Sequence, residues 1–127
     1  MSFQLMSEEI EIIISSIYTL VFMDRKINTH EEDAVCNFYW NAICKMMYDV
    51  EVYKLRECNS NCCCYISNPI NCAIICLLIL VKFTDDDAEF HMNKFDDVSG
   101  INRLSRIYIE NKIYSIVDKN LFKYITI

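Results

Sequence analysis

Ten consecutive apolar residues, Cys72 to Val81, lie between a helix-start signal at Asn68-Pro69 and the charge of Lys82. No other feature restricts the fold as much. A cap residue followed by Pro marks the first position of a helix. A helix that is apolar nearly all round cannot sit at a surface, so it needs neighbours on every side. A bilayer span would take about twenty such residues. The run therefore predicts a central, buried helix over about 68–83 and no membrane span.

The remaining pattern is helical as well. With 1 Gly and 1 Pro in 127 residues, the chain lacks the turn residues that hairpins need. Hydrophobic residues make up 54% and charged residues 24%, which fits a folded single domain and excludes a disordered tail. Ser7 is placed to cap a first helix with Glu8, Glu9 and Glu11 at its positive end. Ile10, Ile13, Ile14, Ile17 and Val21 form one apolar face of it to about Met23. Asp24 to Asn28 is a polar break. Thr29 and Glu32 fit a capping box, opening a helix that carries Ala34, Val35, Phe38, Tyr39, Ala42 and Ile43. That helix either continues to Leu55 or breaks near Asp49, and Phe38, Tyr39 and Trp40 on it are expected in the core. Cys58 to Asn68 is a loop. Thr84 to Asp97 is acidic and without clear periodicity, with room for a short helical turn. Gly100 suits a backbone reversal. Asn102 caps a last long helix whose inner stripe is Ile109, Ile113, Ile116, Val117 and Leu121. Tyr124 to Ile127, with three β-branched residues in four, is the one segment with strand character.

Composition also narrows function. A net charge of −6 and a pI near 4.8 argue against nucleic acid as a partner, because phosphate binding needs a basic surface. Met1 to Met6 lacks a basic start and a cleavage site, so no secretory signal is read. Eight cysteines without such a signal point to reduced thiols in the cytoplasm or nucleus. Cys72 and Cys76 are small core hydrophobes. Cys58, Cys62, Cys63 and Cys64 cluster, but a zinc site needs a spaced second pair, so no metal and no cofactor are expected. Asp24 to Val35 fails as a calcium loop, with Lys26, Thr29 and Val35 at its third, sixth and twelfth positions. His30 and His91 are single, and no phosphate loop, nucleophile elbow or His–Glu pattern is present. An enzyme is not expected.

The stretch from Asn68 to Leu121 resembles the second half of a cyclin box, in particular that of the phosphate-pathway (P- or U-type) cyclins. The elements are Asn68, Lys82-Phe83, the acidic Asp85-Asp86, Val98-Ser99-Gly100-Ile101, Ile109-Glu110, Ile116-Val117-Asp118 and Leu121. Asn68–Phe83 and Ile101–Leu121 align without a gap, and the loop between them takes one extra residue. Upstream, Val52-Tyr53-Lys54-Leu55 stands where the family ends its second helix, with Tyr53 in place of the family's Asp. Ile70-Asn71 replaces the usual His-Arg, and only one box fits.

The resemblance implies an all-α, five- to six-helix cyclin-box bundle around the helix at about 68–83. It places an N-terminal helix in 1–26 and a single box-like domain in 27–127, whose first two helices fall between Ile27 and Glu57. It implies a non-catalytic subunit whose Lys82 and Glu110 contact a cyclin-dependent protein kinase beside its αC helix. The alternative reading is a helical protein–protein interaction module without a kinase partner, such as a Bcl-2-like or stress-response bundle.

Overall fold

A computed structural model of the chain describes residues 3–23, 29–57, 68–117 and 119–125. The side chains of Ser7, Thr29 and Glu32 with their expected capping, the polar break at 24–28, the cysteines between 58 and 64, His30, and residues 126–127 lie outside the described residues. Within them the chain is all-α: α1 (Phe3–Val21), α2 (Thr29–Glu57), α3 (Pro69–Thr84), α4 (Met92–Ser99), α5 (Arg103–Ile116) and the short α6 (Phe122–Ile125). A 3-10 turn, Ala88–His91, leads into α4.

The start of α3 follows from its sequence. The Asn68 carboxamide oxygen accepts from the backbone N–H groups of Ile70 at 2.9 Å and Asn71 at 3.3 Å, while Pro69 supplies the fixed φ of the first turn. Every residue from Cys72 to Val81 is buried. Around this rod lie α1, α2 and α5. Ile10, Ile14, Ile17 and Val21 of α1 and Tyr39, Ala42, Ile43, Met46 and Val50 of α2 join the same core as Ile109 and Ile113 of α5. Burying each aliphatic side chain is worth about 1.5–3 kcal/mol, so the wrapped helix is a main source of stability.

Several expectations need correction. α1 begins at Phe3, one turn ahead of Ser7, so Ser7 is interior to the helix. Of the two ends left open for α2, the longer holds: the helix runs unbroken through Asp49 to Glu57. The interval expected to hold two box helices therefore holds one, and α1 with its buried face takes part in the bundle. The acidic segment after α3 is more ordered than its pattern suggests, because Phe95 is wholly buried and anchors α4 against α1. Phe38 is exposed, whereas Tyr39 is buried. Tyr124 and Ile125 are helical. Gly100 does reverse the chain: it ends α4 at φ 73°, in the left-handed region that costs an L-residue roughly 1–2 kcal/mol.

A hydroxyl cluster ties three helices together. The Tyr39 hydroxyl lies 2.7 Å from Thr84 Oγ1, which donates to the Leu80 carbonyl at 3.0 Å. The Tyr18 ring stacks at a tilt on Tyr39, 5.1 Å between centroids. Burial, with the neighbouring Tyr39, Cys36 and Asp85 adding to it, pushes the Tyr18 phenol up to about 12 from its ordinary 10.

Two outcomes follow from these features. Leu77→Ala, at a fully buried site on α3, should cost roughly 3 kcal/mol, and Asn68→Ala about 1 kcal/mol, in urea unfolding. Equal, negligible losses would mean α3 is not the core. Because the folded Tyr18 pKa lies above the unfolded one, its contribution is intact below pH 10 and is lost as pH rises from about 10 to about 12. An ultraviolet phenolate titration alongside melting curves should show Tyr18 ionising late, with stability falling across that window.

Candidate functional site

Lys82 stands where the burial of α3 ends. Val81 is buried, the Lys82 side chain is 22% exposed, and Phe83 and Thr84 face solvent. A cation in the last turn also suits the negative end of the helix dipole. Asn102 caps α5 by accepting from the Ser105 N–H at 2.8 Å. That start orients α5 so that Arg106, Ile109 and Ile113 point inward, with Glu110 turned toward the end of α3.

The two residues picked out from the sequence therefore meet. Lys82 Nζ donates to Glu110 Oε1 at 2.8 Å, across 28 positions of chain. The Glu110 side chain is only 18% exposed, so water screens the pair incompletely. Glu89 Oε1, from the 3-10 turn, also approaches Lys82 at 3.4 Å, but its side chain is 71% exposed. An ion pair so open to water adds little.

Behind Glu110 lies a second pair that the sequence reading missed. Arg106 is the one charged residue among the buried described side chains. Its Nε donates to Asp96 Oδ1, and its Nη2 donates to Asp96 Oδ2 at 3.3 Å. This is the two-pronged geometry that a guanidinium and a carboxylate favour. Nη1 faces Glu110 Oε2 at 3.8 Å. Lys82, Glu110, Arg106 and Asp96 thus alternate in sign along one line from the end of α3, through α5, to α4. No buried side-chain nitrogen or oxygen among the described residues lacks a partner. The signal for Arg106 was present: it sits three before Ile109 and seven before Ile113, on the inner stripe of α5. A cation at an inner position needs an acid, and Asp96 was hidden in a segment with no readable period.

Apolar surface surrounds the pair. A hollow of about 230 Å³ is lined by Ile79, Lys82, Phe83, Glu110, Tyr114 and Leu121. Phe83 is 39% exposed and meets Phe122 of α6 edge-on, 4.9 Å between centroids. Phe90, next to Glu89, is 84% exposed. Charges framed by aromatic and aliphatic groups suit protein recognition, where apolar anchors carry the energy and charges set register.

The other sequence candidates do less. His91 lies edge-on to Phe22, 6.1 Å between ring centroids. Cys72 and Cys76 are buried, as small core residues would be. A larger hollow, about 410 Å³, lies where α6 meets α2 beside Cys44, Lys45, Tyr48, Asp49, Lys123 and Tyr124. There the Tyr124 hydroxyl donates to Asp49. Among the described residues no group of three His, Cys, Asp or Glu side chains could hold a metal, and no helix is long and apolar enough to cross a membrane. No family model, curated protein or solved structure matches the chain.

The inner pair should show itself as a coupled unit. Asp96→Asn alone should cost roughly 3 kcal/mol, since it leaves a buried cation short of its acid, while Asp96→Asn with Arg106→Met should cost clearly less. Additive losses in the thermal-unfolding cycle would show that the two residues do not interact.

Proposed function

We propose that the chain is a cyclin-like regulatory subunit that binds a cyclin-dependent protein kinase and controls its activity through the surface around Lys82 and Glu110. The observation that carries the reading is the 2.8 Å ion pair between these two residues. They were singled out by the cyclin-box resemblance while still far apart in sequence. Their setting adds support: the pair is partly exposed, borders an apolar hollow, and rests on a helix enclosed by three others. In this reading the box comprises α1 to α5 with α3 at its centre, and α1 and α2 are its first two helices.

The way such a surface controls a kinase follows from the enzyme's needs. Phosphoryl transfer requires the β3 Lys–αC Glu pair to be assembled. A rigid partner holds αC inward only to the extent that it binds that arrangement better than the inactive one. Moving a kinase from nearly all inactive to nearly all active takes about 5.5 kcal/mol of differential binding. Contacts in the hollow beside Lys82 and at the ion pair contribute to that difference only where the active arrangement alone makes them. The chain itself has no catalytic role in this account.

Charge reversal tests the assignment. With a panel of purified cyclin-dependent kinases, Lys82→Glu combined with Glu110→Lys should weaken binding at least tenfold and change phosphotransfer in parallel, the chain staying folded at a somewhat lower melting temperature because the new cation at position 110 faces Arg106. Unaltered kinase binding by that double variant would remove the kinase reading of this surface. A wild-type chain that binds no kinase in the panel would favour the interaction module without a kinase partner.

A further inference from the structure

We propose that Arg106 is a positioning residue for the docking surface: clamped by Asp96, it fixes the Glu110 carboxylate and so holds the Lys82 ammonium in place for a partner. The proposal rests on the kinase-docking reading for its functional consequence, but the positioning itself is a property of the free chain.

The geometry assigns each group a task. Arg106 has a side chain only 7% exposed, and its place on the inner stripe of α5 keeps it from swinging out to water. Two of its nitrogens are committed to the two oxygens of Asp96, which fixes the plane of the guanidinium. The remaining terminal nitrogen, Nη1, is thereby aimed at Glu110 Oε2, 3.8 Å away. Glu110 then has one oxygen turned toward Arg106 and the other accepting from Lys82 at 2.8 Å. Held on both sides, the carboxylate has little freedom to rotate, and the long Lys82 side chain is ordered before any partner arrives. Glu89 cannot perform this service, since its side chain is largely in solvent.

Two consequences follow. Ordering Lys82 in advance lowers the entropy lost on association, so the inner pair raises affinity without touching the partner. The anchor of the arrangement is Asp96, four residues before the left-handed Gly100 that ends α4. The register of α4 against α5 is thereby linked to the docking surface. A pair with only a structural role would stabilise the α4–α5 corner and leave the geometry of Glu110 and Lys82 indifferent to it.

The test uses the full chain, labelled with carbon-13 and nitrogen-15, and reads the lysine ammonium groups by NMR. In the wild type, Lys82 Nζ should show a slowly exchanging signal with a through-hydrogen-bond coupling to the Glu110 carboxylate carbon. Asp96→Asn alone releases the clamp on Arg106 and should weaken that coupling. Asp96→Asn with Arg106→Met leaves neither inner charge alone, so the fold and the core methyl signals should survive while the coupling disappears. Affinity for a kinase that binds the wild type should then fall roughly five- to tenfold. Persistence of the coupling in the double variant would overturn the positioning role and leave the docking reading standing. Loss of the coupling with unchanged kinase affinity would uphold the positioning and overturn the part assigned to the pair in docking.

Discussion

The enclosure of α3 is the constraint on which the rest of the structure depends. A helix buried on all sides from Cys72 to Val81 obliges its neighbours to present continuous apolar faces, and α1, α2 and α5 do so. It also decides where polarity can first appear. Upstream, Asn68 accepts from two free N–H groups of the first turn, and Pro69 has none to satisfy. Downstream, the end of burial coincides with Lys82. The candidate surface is therefore located by the core: it lies at the rim where the central helix emerges from its wrapping, and the neighbour that wraps it there, α5, contributes Glu110.

Electrostatics then distinguishes this rim from an ordinary helix end. An isolated surface ion pair is worth little. Here Glu110 is shared between an emergent lysine and a buried arginine, and the arginine is held in turn by Asp96. A chain of alternating charges reaching inward in this way is held by packing as well as by attraction, since Arg106 cannot leave its place on the inner face of α5. Such a surface combines a rigid charge pair with the adjoining apolar hollow. The proposed role, preferring one conformation of a partner, calls for both.

Much of this was legible in the sequence where a local rule had no competitor. The Asn68-Pro69 start, the burial of Cys72 to Val81, the left-handed Gly100 and the Asn102 cap each follow from one residue's chemistry. The pairing of Lys82 with Glu110 came from the family resemblance, for nothing in the spacing alone brings residues 28 positions apart together. Other features were hidden for physical reasons. α1 starts a turn before Ser7 because a favourable cap residue can also sit inside a helix. α4 buries only one side chain wholly, Phe95, so its segment carries no period to read. Arg106 is hard to read because an apolar stripe shows only through its apolar members, and the one charge on it breaks the pattern. Phe38, expected in the core beside Tyr39, is turned outward because adjacent helical positions differ by about 100° in direction.

Hydrogen–deuterium exchange of the chain with and without a purified cyclin-dependent kinase tests the central claim most directly. Protection should appear at the end of α3 around Lys82 and Phe83, in the turn bearing Glu89 and Phe90, and along the outer side of α5 near Glu110 and Tyr114, with the far side of α2 unchanged. A complex that protects the α2–α6 side instead, or slows exchange nowhere near Lys82, would contradict the account.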